Sequence, residues 1–114
     1  MFLRVYCARG ANGRLYLVCY GPFASQASAQ AYINALAFPG DNYVLPVFQV
    51  NPNTARVQAA VATGQYVAVV IPQGSNTPSG TYGPFATVED GEDWIATSPL
   101  ASQPNLYIRS VRAP

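Results

Sequence analysis

Few residues in this chain are able to do chemistry: two cysteines, five carboxylates, six arginines and eight tyrosines, with no histidine and no lysine. Histidine is the commonest general base and metal ligand. Two cysteines without histidine do not make the four-ligand set of a structural zinc site. There is no Gly-rich loop ending in Lys and no nucleophile elbow. Four of the five carboxylates are Glu89, Asp90, Glu92 and Asp93. Glu89 and Asp93 share a helical face, as a carboxylate or divalent-cation site requires. The position favours another reading, a solvated first helical turn whose acids complement the macrodipole. Asp41 follows Pro39-Gly40 and reads as a turn residue. These residues predict no enzyme, no cofactor and no metal.

Cys7 and Cys19 flank Gly10-Ala11-Asn12-Gly13-Arg14. Asn-Gly is a strong hairpin signal. A three-residue loop would set the two thiols opposite each other, and a two-residue loop would offset them by one. Buried thiols are favoured over a cross-strand disulfide, since no secretory signal is visible. Tyrosine rows on a sheet stack bases or sugars when a basic groove accompanies them. Here the net charge is only +1, so nucleic acid is disfavoured and protein contact explains the tyrosines better. The candidate interface residues are Tyr6, Tyr16, Tyr20, Tyr82, Tyr107 and Arg109.

The elements that must position these residues come in two copies. Tyr20-Gly21-Pro22-Phe23-Ala24-Ser25 returns as Tyr82-Gly83-Pro84-Phe85-Ala86-Thr87, shifted by 62 residues. On that shift Val5 falls on Val67, Cys7 on Val69, Tyr32 on Trp94 and Ile33 on Ile95. A period of this kind marks a repeated supersecondary unit. Strands are predicted over Phe2–Arg9, Leu15–Tyr20 and Tyr43–Val50, then Tyr66–Ile71, Thr81–Phe85 and Leu106–Val111. Gly21, Pro22 and Phe23, like Gly83, Pro84 and Phe85, read as structural turns with a Phe anchor. Ser25 caps a helix over 26–37. Thr87 with Asp90 opens a second helix, which carries Trp94 and ends at Ser98-Pro99. Pro46 places its strand at an edge or a bulge. Asn53 or Thr54 caps a short helix through Ala62.

The expected fold is α+β: one domain of two β-β-α-β repeats, 1–50 and 65–114, joined by 51–64. Their antiparallel sheet carries the helices on one face. Both faces of the first hairpin are apolar, so the second face is expected to meet another sheet or subunit.

Charged residues are 10% of the chain, against about 25% in typical domains. Mean hydropathy is +0.11. The surface must therefore be built largely from neutral and apolar residues, and part of it is expected to be covered by other chains. No signal peptide is visible, and no apolar run approaches the ~20 residues of a membrane span. Synthesis in a bacterial cytoplasm is expected, with no membrane partner.

The paired Gly21-Pro22-Phe23-Ala24-Ser25 and Gly83-Pro84-Phe85-Ala86-Thr87, each before a helix, resemble the SPOR domain family. That resemblance implies a glycan-binding module for peptidoglycan strands, using the sheet face opposite the helices. The second half, Tyr82–Val111, is also similar to short bacteriophage open reading frames. Together these features predict a non-enzymatic assembly protein, foremost a virion component such as a capsid decoration or head–tail protein. Its partners would be copies of itself or other virion proteins, with loop 73–80 and the terminal strands as contact segments. The alternatives are the SPOR-like module and a small cytoplasmic regulator that binds one host protein.

Overall fold

The computed structural model describes residues 1–50, 57–97 and 105–114. The elements are β1 (Phe2–Arg9), β2 (Leu15–Phe23), α1 (Gln26–Asn34), β3 (Asn42–Phe48), β4 (Tyr66–Val70), β5 (Gly80–Phe85), α2 (Val88–Thr97) and β6 (Leu106–Arg112). They do not form an antiparallel sheet with helices on one face. The six strands close into a barrel in the order β1-β2-β6-β4-β5-β3, which overturns the α+β expectation. Within each half the first strand is central and pairs antiparallel with the other two. The halves are then joined by two short parallel seams. Cys19 and Tyr20 meet Val111 and Arg112, and Val47 and Phe48 meet Thr81 and Tyr82.

Closure explains the two apolar faces of the first hairpin. Alternate residues point inward: Leu3, Val5 and Cys7 from β1, Leu17 and Cys19 from β2, Leu45 and Val47 from β3, Val67 and Val69 from β4 and Val111 from β6. All of these are buried and form one cluster. The second apolar face is thus the barrel's own packed interior. The outer face of β1 meets α1, and that of β4 meets α2.

The structure revises the repeat alignment. β2 maps onto β5, and α1 onto α2, with the shift of 62. β1 maps onto β4 with a shift of 64: Phe2 and Tyr66 lie opposite Phe23 and Phe85, and Val5 and Val69 lie opposite Cys19 and Thr81. Cys7 therefore corresponds to Ile71, not Val69. β3 follows the same longer shift onto β6, so that Tyr43 corresponds to Tyr107 and Leu45 to Arg109.

Gly21-Pro22-Phe23 and Gly83-Pro84-Phe85 are not turns but the last residues of β2 and β5, each with a cis Gly-Pro bond. The pairing register shifts beside each motif. The glycines permit close strand approach. A Cβ on Gly21 would lie 2.8 Å from Leu3 Cδ2, and one on Gly83 3.1 Å from the Tyr66 carbonyl oxygen. The Phe rings instead anchor the helices, with Phe23 5.5 Å from Tyr32 and Phe85 5.6 Å from Trp94 between centroids.

Ser25 caps α1. Its Oγ accepts the Ser28 N–H at 3.0 Å, and Ser28 Oγ accepts the Ser25 N–H in return. Ser25→Ala is expected to cost about 1 kcal/mol, read as a lower urea midpoint. Thr87 Oγ1 accepts the Asp90 N–H at 3.1 Å at the start of α2. Ala29 and Gly91, equivalent under the shift of 62, are both buried, and α1 buries Ile33 as well. The helix end expected at Ser98-Pro99 lies outside the described residues. So do Asn53 and Thr54.

Residues 57–62 are extended rather than helical. The Gln49 N–H donates to the Val57 carbonyl at 2.8 Å, and the Ala59 N–H to the Val47 carbonyl at 2.8 Å. Ala59 and Val61 are buried and Ala60 is exposed, a period of two. Pro46 is neither at a sheet edge nor at a bulge but in a strand of the closed barrel, just before the β3–β5 seam begins, so its missing N–H interrupts no pairing on that side. Its carbonyl accepts the Thr81 hydroxyl at 2.7 Å.

Candidate docking face

Strand alternation brings three of the six candidate interface residues together. Tyr6 lies opposite Val18, Tyr16 opposite Ala8 and Tyr20 opposite Arg4. All therefore point outward from the β1–β2 hairpin. Arg4, which the sequence reading did not select, organises this face. Its guanidinium sits 4.0 Å from the Tyr20 ring centroid and 5.6 Å from that of Tyr32 on α1. Its Nε donates to Asn42 Oδ1 at 3.0 Å. Asn42 is held in turn, donating to the Pro39 and Gly40 carbonyls. The cation is thus fixed on three sides, and cation–π attraction adds to the hold. Further along, Arg14 lies 5.5 Å from the ring of Tyr16, which is 45% exposed.

Beside Arg4 the surface opens into a concavity of about 410 Å³, lined by Arg4, Tyr6, Tyr20 and Asn42 on the strands and by Leu36, Ala37 and Phe38 after α1. Phe38 is 89% exposed. The signal for Arg4 was its i, i+2 spacing from Tyr6. The signal for Phe38 was a large apolar residue directly before a Pro-Gly stop.

The equivalent face of the second half is closed. Ala68 and Val70 stand where Arg4 and Tyr6 stand, and both are buried. Tyr82 packs between Phe48 at 5.8 Å and Trp94 at 5.5 Å. A candidate interface residue, Tyr82 therefore belongs to a ring stack under α2. Tyr107 faces inward and packs against the barrel core. Arg109 is half-buried at the β2–β6 seam. Its Nε donates to the Leu17 carbonyl at 3.2 Å and Nη1 to the Ile108 carbonyl at 2.9 Å. It bridges the two strands where their parallel pairing has ended.

Cys7 and Arg9, near the end of β1, meet loop 71–79. The Cys7 thiol donates to the Asn76 carbonyl at 3.3 Å, and Arg9 Nε to Asn76 Oδ1 at 2.9 Å. These contacts fold loop 71–79 back over the barrel. Cys7 and Cys19 are free and buried. Cys7 lies opposite Leu17, and Cys19 opposite Val5, so the thiols are diagonal neighbours. Neither loop length considered from the sequence applies, because five residues separate the strands. Burial pushes the Cys19 thiol up to about 12, Arg109 opposing and Cys7 adding. Cys7 is raised by burial, against Arg9 and with a smaller push from Asp41. Thiols held protonated in this way are poor nucleophiles. Glu89, Asp90, Glu92 and Asp93 are exposed. Among the described residues no three potential metal ligands converge, and no helix is long and apolar enough to cross a membrane.

No family model, curated protein or solved structure matches this chain.

Proposed function

We propose that this chain is a non-enzymatic assembly protein that docks neighbouring protein chains through the outer face of its β1–β2 hairpin. A virion component, such as a capsid decoration or head–tail protein, is the reading most in keeping with it. One observation carries the proposal. Of two equivalent outer faces, one is sealed by Phe48, Tyr82 and Trp94, while the other presents a fixed Arg4, Tyr6, Tyr20 and an exposed Phe38 around a concavity. Tyr and Arg dominate binding hot spots because they combine large area, few rotamers and a polar tip. The glycan alternative relied on the sheet face opposite the helices. In a closed barrel that face is the packed interior, so no observation favours it. A regulator that binds one host protein would use the same outer face.

The test is light scattering across a concentration series. The mass is expected to rise above that of the monomer. Phe38→Ser is expected to weaken association about tenfold or more while leaving the unfolding temperature unchanged, since the ring is exposed. A monomer at every concentration would overturn self-assembly.

A further inference from the structure

The two flanks of the barrel differ in charge as well as in shape. Around the ring β1-β2-β6-β4-β5-β3, β1 and β4 are diametrically opposite. The Arg4 face therefore lies on one flank, and α2, packed on β4, β5 and β6, lies on the other. The first flank carries Arg4 and Arg14, whose partners are an amide and aromatic rings rather than carboxylates. The opposite flank exposes Glu89, Asp90, Glu92 and Asp93 within the first turns of α2.

A two-fold contact through the Arg4 face would set Arg4 and Arg14 against their own copies, and like charges across an interface are costly. A contact between opposite flanks pairs unlike charges instead. Because the flanks point in opposite directions, such a contact leaves each copy a free face for the next. We infer that copies of this chain associate head to tail, the acidic α2 of one copy seated on the Arg4–Tyr20 face of the next. A repeated contact of this heterologous kind generates a ring where the rotation closes and a filament where it does not. The inference rests on the docking reading and specifies its occupant and its symmetry.

Charge reversal tests it. In one variant Arg4→Glu and Arg14→Glu make both flanks acidic. In the other Glu89→Arg, Glu92→Arg and Asp93→Arg make both basic, the three new cations outweighing Asp90. Each alone is expected to stay monomeric at concentrations where the unaltered chain assembles. An equimolar mixture is expected to regain the assembled mass, because every junction then pairs unlike flanks. For the unaltered chain, the apparent Kd is expected to rise about tenfold or more from low to high salt, as screening shortens the reach of these charges. Far-UV circular dichroism and unfolding temperature report whether each variant is folded. Where Arg4→Glu unfolds the chain, Arg14→Glu alone and the salt series carry the test.

Three results would overturn the head-to-tail contact: either folded variant assembling like the unaltered chain, a mixture of folded variants remaining monomeric, or assembly insensitive to salt. In each of these the docking reading survives through another contact. A monomeric unaltered chain removes the head-to-tail contact together with self-assembly, and leaves the Arg4 face only to a partner of another sequence.

Discussion

Leu3→Ala is expected to lower the unfolding free energy by about 3 kcal/mol, measured by urea denaturation. Leu3 is fully buried inside the barrel. It fills the space next to Gly21, where even a Cβ would come within 2.8 Å of its Cδ2. Truncation leaves a void that Gly21 has no side chain to occupy. The neighbouring strands are held on both sides by pairing, so they collapse poorly into the gap. Small domains have only about 5–15 kcal/mol of net stability, so the variant loses a major share. A loss below about 1 kcal/mol would show that the interior relaxes freely.

Raising the pH is expected to destabilise the protein through Cys19. Burial lifts its thiol from an ordinary value of 9.0 to about 12. The folded state therefore holds the proton after the unfolded chain has released it. The sign follows: stability from this group is complete below pH ~9 and is lost progressively as pH rises toward ~12. Between pH 8 and pH 10.5 the loss is about 2 kcal/mol. Cys7 is raised as well and acts in the same direction. The measurement is the urea midpoint across that range for the parent and for Cys19→Val. The substitution is close in volume and removes the ionisable group. The variant is expected to retain only the smaller alkaline loss due to Cys7 and other groups. Equal slopes in the two chains would refute the assignment to Cys19.

The sequence made local elements readable and left their closure hidden. Ser25 and Thr87 announce the starts of both helices because capping is a contact within four residues. Asn12-Gly13 between Phe2–Arg9 and Leu15–Tyr20 announces the hairpin for the same reason. The barrel depends on two seams of two residue pairs each, joining Cys19 to Val111 and Val47 to Thr81. Such sparse parallel pairing leaves no periodic signature. An apolar second face reads equally well as a closed interior or as a surface awaiting a partner. The unbroken shift of 62 concealed the true correspondence, because the identical Gly-Pro-Phe residues fix only β2 and β5. Residues 57–62 misled because Val57, Ala60 and Val61 suit a weak helical stripe, whereas burial follows Ala59 and Val61.

The docking face was half readable. Tyr16 and Tyr20 share a face of β2 by their even spacing, and Tyr6 joins them only through the register that pairs it with Val18. Tyr82 and Tyr107 are the same residue type on equally plausible strands, and only tertiary packing assigns one to a ring stack and the other to the core. Arg109 was visible as a cation on the last strand. Its task of holding the Leu17 carbonyl requires knowing that β2 and β6 are neighbours.

The seam between β2 and β6 also bears on how the chain is made. β2 is translated early, and the strand that covers its open side is the last of the six to leave the ribosome. Until then a nascent chain carries β2 with one edge bare, as well as β4 without its second neighbour. Bare strand edges recruit other strands. Cells making this protein at high density therefore face their greatest aggregation hazard during elongation, and the hazard ends once Val111 reaches Cys19.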